Sequence, residues 1–336
     1  MEKENILVTG GAGYIGSHIV RDLGDQGFNP IVYDNLSTGN RESVLCGEFI
    51  QGDIKDTALL TDTIKKYRIK SVIHFAAFIQ VAESVKHPIK YYMNNSVNTA
   101  GLIEVCVENS IENFVFSSTA AVYGIPPEIP ILETTVMNPI NPYGKSKVVT
   151  EMLLKDVSVA YPEFNYIALR YFNVAGADGK NRIGQNYRTH THLITLALKA
   201  ASGEYPELKI FGTDYPTPDG TAVRDYIHTD DLANAHLLAL DYLKREKKSR
   251  IFNCGYGVGS SVAEVVKAAK EVTGIDFPVI ETHRRHGDPP QLVADAQLIR
   301  KELGWIPKYD DINYIIKTAW DWEQKLNAQA TVLTGL

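Results

Sequence analysis

The sequence predicts an α/β fold: a doubly wound parallel sheet with helices on both faces, carrying a smaller mixed α/β lobe. Three observations predict it. Ile6, Leu7 and Val8 form the short apolar run of a strand buried on both faces, and glycines 10, 13 and 16 follow at once. Apolar runs and helical patterns then alternate, with strands at 30–33, 48–52, 70–75, 113–118 and 165–170 and helices at 56–67, 95–109 and 143–160. A parallel strand pair needs a crossover long enough to hold a helix, so this alternation specifies a parallel sheet. Asp34 closes the second strand about 20 residues past the glycines, where an acid has a specific use in such sheets.

The first turn, Gly10-Gly11-Ala12-Gly13-Tyr14-Ile15-Gly16, leads into the helical pattern Ile19, Val20, Leu23. Glycines at these places let the backbone turn tightly, let a pyrophosphate approach the helix N-terminus, and let helix and strand pack closely. The arrangement is Rossmann-type, with the spacing G-x-x-G-x-x-G. Asp34 can accept from adenosine ribose hydroxyls and repel a 2′-phosphate, which selects NAD over NADP; Arg41 is the nearby residue that would favour NADP. Ligands in such sheets lie beyond the C-terminal strand ends, which here carry the glycine turn, Asp34, Asp53 with Ile54, Phe75 to Ala77, Ser117 to Thr119 and Tyr171 to Asn173. Asp53 is placed to meet an adenine. Phe75, Ala76 and Ala77 either line the floor under a nicotinamide or serve close packing.

After the fifth strand comes Asn141-Pro142-Tyr143-Gly144-Lys145-Ser146-Lys147. Asparagine caps a helix well, and proline at the first helical position loses only an N–H that would be orphaned there. Tyr143 and Lys147 then stand four apart on one face. Free tyrosine ionises near pH ~10. A lysine ammonium about 4 Å away contributes roughly 4 kcal/mol at an effective dielectric of about 20, enough to lower that value by around three units. The helix dipole adds about 1 kcal/mol or less in the same direction. The expectation is a phenolate near neutrality beside a hydride acceptor.

The 336 residues suffice for two packed lobes. Residues 1–175 are expected to form the NAD-binding domain, with 224–254, a helix and then a strand, returning to its sheet. Residues 176–223 and 255–325 are expected to form the smaller substrate lobe, and 326–336 a loose tail. The net charge of −6 argues against a nucleic-acid partner, and the basic run 244–250 reads as a solvated turn. No apolar run approaches the ~20 residues of a membrane span, and the charged start carries no secretory signal. Cys46, Cys106 and Cys254 are odd in number and far apart, which fits reduced thiols in a cytoplasmic protein. His190, His192, His283 and His286 lack ligand spacing and an acidic companion, so no metal is expected.

With the glycine turn at the first strand, Phe116-Ser117-Ser118-Thr119 at the fifth and Tyr143-x-x-x-Lys147 on the next helix, the chain resembles the extended short-chain dehydrogenase/reductases. Residues 8–18, 72–76, 83–85, 120–124, 143–147, 170–173 and 223–228 are similar to the UDP-hexose 4-epimerases among them, and the similarity runs from residue 5 to about residue 323. The resemblance implies that Tyr143 takes the proton of the sugar 4-hydroxyl while the C4 hydride moves to tightly bound NAD. It implies that Thr119 bonds the same oxygen and that Lys147 bonds the nicotinamide ribose and keeps the tyrosine ionised. The 4-keto sugar then swings about its phosphate link and the hydride returns to the other face. The implied substrates are UDP-glucose and UDP-galactose, and the implied assembly is a homodimer through the helices near 95–109 and 143–160.

Further cofactor contacts are implied at Tyr14, Ile15, Asn35, Ile54, Asn94, Ser117 and Tyr171. A sugar that must turn over has to be held by its nucleotide, so binding should concentrate there. The resemblance implies diphosphate contacts at Arg224 and Arg285, a diphosphate or sugar contact at Asn173 and a uridine ribose contact at Asp288. Thr191-His192-Leu193 stands where the family frequently has Asn-Asn-Leu, and Ile79 where it often has lysine. Leu292 stands where the family crowds the sugar 2-substituent; leucine is smaller than the tyrosine found elsewhere, so UDP-N-acetylgalactosamine should also fit. A 4,6-dehydratase needs Asp-Glu after the fifth-strand threonine, and Ala120 and Ala121 stand there instead. Another UDP-sugar (N-acetylhexosamine, pentose or glucuronate) and a silent NAD-binding protein remain as alternatives.

Overall fold

The computed structural model describes residues 3–187, 189–285 and 288–334. In chain order the first half holds β1 (Asn5–Thr9), α1 (Tyr14–Asp25), β2 (Asn29–Asp34), β3 (Glu48–Gln51), α2 (Thr57–Tyr67), β4 (Ser71–His74), α3 (Val81–Lys86), α4 (Pro88–Tyr92), α5 (Thr99–Glu108), β5 (Asn113–Thr119), α6 (Pro142–Ala160) and β6 (Asn165–Tyr171). There follow β7 (Asn173–Ala175), α7 (Leu193–Ala201), β8 (Leu208–Phe211), β9 (Val223–His228), α8 (Thr229–Glu246) and β10 (Arg250–Cys254). The chain ends with β11 (Gly259–Ser261), α9 (Val262–Thr273), β12 (Val279–Thr282), β13 (Gln291–Leu292), α10 (Gln297–Leu303) and α11 (Ile312–Thr334).

Seven strands form one parallel sheet in the order β3-β2-β1-β4-β5-β6-β10. The two-residue side-chain alternation divides its core. Ile6 and Val8 face α1 and α8, whereas Leu7, Ile31 and Val72 face the side of α2, α5 and α6. A second sheet, β11-β9-β13 with β7 beside β9, and a β8–β12 pair form the smaller lobe.

Three local expectations are corrected. Only β10 of the 224–254 stretch joins the large sheet. Residues 224–228 belong to β9 in the small one, because the chain steps out of the large sheet at Phe172 and β7 offers β9 a free edge. The helix expected at 95–109 begins as a π-helical turn, Met93–Asn98, in which the Asn95 carbonyl accepts from Thr150 Oγ1 of α6 at 2.9 Å. The expected tail lies largely in α11, since nothing from Asn327 to Thr334 breaks a helix already anchored by buried Ile315, Ile316 and Trp320.

Candidate active site

The glycine turn is shaped by contacts that no side chain could share. Gly10 has φ +72°, and a Cβ on it would stand 2.6 Å from the Ala76 nitrogen. The Ala76 backbone therefore presses on the turn, and its side chain packs on the core behind. Gly13 caps α1 in an extended conformation with no side-chain partner, which leaves the first-turn N–H groups without helical acceptors. Asp34 is buried at the rim, with Oδ2 accepting Ala12 N–H at 3.0 Å and Oδ1 accepting Leu36 N–H at 2.8 Å. Each oxygen keeps lone pairs for ribose hydroxyls. Arg41 lies over the Phe49 ring at 4.6 Å. A cradle with free N–H groups beside a buried acid suits NAD, and these residues fit it.

At the next strand ends, Asp53 accepts from Asn35 Nδ2 at 2.9 Å and from Lys55 N at 3.0 Å, and Ile54 is buried beside them. Asn94 bonds Asn95, Phe75 tilts against His236 of α8 at 4.8 Å, and Ala77 is half-buried. Ser117 shares its hydroxyl with His236 Nε2 at 3.0 Å, and the half-buried Tyr171 lies beside them.

On α6, Asn141 Oδ1 accepts Gly144 N–H at 2.9 Å and Pro142 is the first helical residue. Tyr143 and Lys147 are both buried on one helix face. Thr119 Oγ1 accepts Ala121 N–H at 3.1 Å, and its hydroxyl meets the Tyr143 phenol. Lys147 Nζ donates to the Ser117 carbonyl at 2.9 Å and lies 4.7 Å from the Phe116 ring centre. The electrostatics correct the sequence expectation. Burial pushes the Tyr143 phenol up to about 12, with Thr119 working against it. Burial also pulls Lys147 down to about 7, opposed by the charge of Glu151. In the protein alone desolvation outweighs the lysine, whose ammonium is turned to Ser117 and Phe116.

The smaller lobe brings a second group together. Arg224 pairs with Asp288 at 2.5 Å, while Nη1 donates to the Val223 carbonyl at 2.7 Å. Arg285 lies 3.9 Å over the Phe211 ring. Leu292 pairs with Arg224 across β13 and β9 and packs against the cluster formed by Ala120, Val122, Tyr123, Ile131, Phe172 and Ala294. It thus spans the distance between the arginine group and the Thr119 strand end. His192 bonds Gln185 at 3.2 Å, and with Leu193, Asn173, Tyr14 and Tyr226 it lines a small cleft. Ile79 is largely exposed. His286 and Gly287 lie outside the described residues.

Sequence reasoning missed four residues here. Tyr187 is half-buried near Tyr143 and stacks on His192 at 6.5 Å. Gln185 likewise reaches the group from a loop, and Phe211 from the end of β8. Glu151 had one: it repeats the spacing of four from Lys147.

A model of the NAD dependent epimerase/dehydratase family matches residues 6–255. The chain belongs to this family. It is 50% identical over 322 residues to a UDP-glucose 4-epimerase of Azospirillum brasilense, covering 96% of this chain and 92% of that one. Among solved structures it is similar to UDP-glucose 4-epimerase from Brucella ovis in complex with NAD (TM-score 0.92, 47% identity, 94% and 97% of the two chains). It is also similar to the UDP-Glc/GlcNAc 4-epimerase from Campylobacter jejuni (TM-score 0.85, 47% identity, 96% and 99% covered). Family members thus share nearly the whole of this architecture.

Proposed function

We propose that the protein interconverts UDP-glucose and UDP-galactose by inverting C4, as its relatives from A. brasilense and B. ovis are named for doing. The observation that carries the reading is Tyr143 and Lys147, buried side by side on α6 against Thr119 and Ser117, at strand ends that also hold a glycine cradle. Tyr143 accepts the proton of the sugar 4-hydroxyl and later returns it, Thr119 bonds the same oxygen, and Lys147 holds the charge beside them. The glycine turn and Asp34 would hold NAD, which when bound would supply the hydride acceptor and a positive charge favouring the phenolate. Arg224, Arg285 and Asp288 grip the nucleotide, leaving the hexose free to turn as a 4-keto sugar. Ala120 and Ala121 cannot move a proton, so no dehydration follows the oxidation.

Leu292 in place of a larger ring supports turnover of UDP-N-acetylhexosamines as well, and the similar C. jejuni protein is named for both substrate types. Met93, Val97, Val149 and Met152 are exposed apolar residues at the start of α5 and along α6, and they support a homodimer. Among the described residues no helix is long and apolar enough to cross a membrane, and the three cysteines are unpaired, which supports a cytoplasmic setting. The test is UDP-galactose with purified protein and no added NAD. Formation of UDP-glucose, and NAD in the acid-released supernatant, are expected. Folded, NAD-loaded protein without interconversion would mark a silent relative.

A further inference from the structure

Glu151 stands one turn beyond Lys147 on α6 and is 3% exposed. Its carboxylate is fully engaged. Arg170 of β6 donates Nε to Oε1 at 3.0 Å and Nη2 to Oε2 at 2.6 Å, and Ser118 of β5 donates its hydroxyl to Oε1 at 2.5 Å. Ser118 lies between the two β5 residues that serve the proton site. On one side is Ser117, whose carbonyl takes Lys147; on the other is Thr119, whose hydroxyl meets Tyr143. Three helix residues spaced by four thus engage three consecutive strand residues. Ser117 turns its own hydroxyl to the opposite face of the sheet, toward His236, while the Ser118 hydroxyl makes the middle of the three β5 contacts with this face of α6.

The clamp is anchored beyond Glu151. Arg170 Nη1 donates to the Tyr123 phenol at 2.9 Å and to the Glu133 carbonyl at 3.0 Å, and Tyr123 donates to Asn253 Oδ1 of β10 at 2.6 Å. A buried network with every member satisfied holds one geometry tightly. It also decides what charges surround Lys147. From α6 it faces Tyr143 and Glu151; from β5 it faces the Phe116 ring and the Ser117 carbonyl. From β4 it faces His74, which burial keeps neutral by lowering it to about 3. Among the described residues, Glu151 is the charge that favours the ammonium.

We propose that Glu151 is a positioning residue: clamped by Arg170 and Ser118, it fixes the register of α6 on β5, holds its negative charge one turn from Lys147, and so positions Lys147 and Tyr143 at the proton site. This inference rests on the epimerase reading for its consequence in turnover, but its electrostatic half can be read without turnover.

The experiment compares NAD-loaded parent, Glu151→Gln, Glu151→Asp and Ser118→Ala. It measures kcat and KM for UDP-galactose across pH, and the Tyr143 phenol midpoint by ultraviolet difference against Tyr143→Phe. Thermal midpoint and bound NAD report folding. Glu151→Gln should lower kcat by about tenfold or more with KM within about twofold, since the substrate is not touched. Its phenol midpoint should rise, and the alkaline limb of kcat should move to lower pH, because an unassisted Lys147 loses its proton sooner. Glu151→Asp keeps the charge but is a methylene short, so kcat should fall while the midpoint stays near the parent. Ser118→Ala keeps the ion pair and should cost about threefold in kcat with an unmoved midpoint. If Glu151→Gln does not fold, because Arg170 is left unpaired, the other two variants decide.

Parental kcat and midpoint in the folded variants would overturn the proposal. So would losses that only track the unfolded or NAD-free fraction, which would make the role purely structural. A parent that fails to interconvert the sugars would sink the proposed function instead, while the phenol titration still judged Glu151.

Discussion

The α6–β5 face and the Arg224–Asp288 group do opposite things with charge. In the first, Lys147, Glu151 and Arg170 are all nearly closed to solvent, and each bond has a fixed partner. In the second, Asp288 is 29% exposed, and among the described residues Arg285 rests on a ring face. The difference matches two tasks. Moving a proton needs a group whose ionisation is set by fixed neighbours, and burial magnifies their effect. Holding a nucleotide needs charges that can trade a solvated or internal partner for phosphate and ribose at little cost. On the proposed function, the buried face would govern rate and the open group affinity.

The largest break in that contrast is Tyr143→Phe, which removes one oxygen from the buried face. Turnover of UDP-galactose should fall by about 10²–10⁴-fold with the thermal midpoint unchanged. Undiminished turnover would show that another group moves the proton. Arg224→Ala strikes the other side. It should raise KM for the UDP-sugar by about tenfold or more and leave kcat within a few fold, read from steady-state kinetics. An effect mainly on kcat would erase the division between the two regions.

Leu292→Tyr sharpens the contrast, because Leu292 pairs with Arg224 and packs against the cluster that begins at Ala120, next to Thr119. It should lower kcat/KM for UDP-N-acetylgalactosamine by about tenfold while UDP-galactose changes little. Equally poor turnover of the acetylated sugar by parent and variant would refute it. The smallest effect concerns pH. Burial lowers His18 to about 4, His74 to about 3 and His236 to about 4, all on the large-sheet side. An unfolded histidine takes a proton near 6.5 that these sites refuse, so the stability they confer is present above that value and is lost as pH falls toward 3–4. The thermal midpoint should drop by roughly 5 °C or more between pH 7 and pH 5. A flat profile would show that these rings are solvated rather than sealed.

Much of the large sheet was legible because its signals are local. The run Ile6 to Val8, the glycines and Asp34 lie within one β-α-β unit, and Asn141-Pro142 marks a helix start by its own chemistry. The smaller lobe was less legible. β7, β11 and β13 are two or three residues long and carry no period, so their pairing with β9 depends on which edge the large sheet leaves free. The same holds for the site. The spacing of Tyr143 and Lys147 was visible, but the direction of their pKa shifts was not, since that depends on desolvation by residues far along the chain.

By itself the sequence determined the parallel α/β architecture, the dinucleotide turn, the cap of α6 and the shared face of Tyr143 and Lys147. These follow from backbone sterics and side-chain periods that act over a few residues. Only the tertiary structure decided that Arg224 faces Asp288, that Tyr187 comes up beside Tyr143, and that Glu151 is locked between Ser118 and Arg170. Those contacts join segments from distant parts of the chain, and the energy of a buried charge is set by every neighbour at once rather than by its place in the sequence.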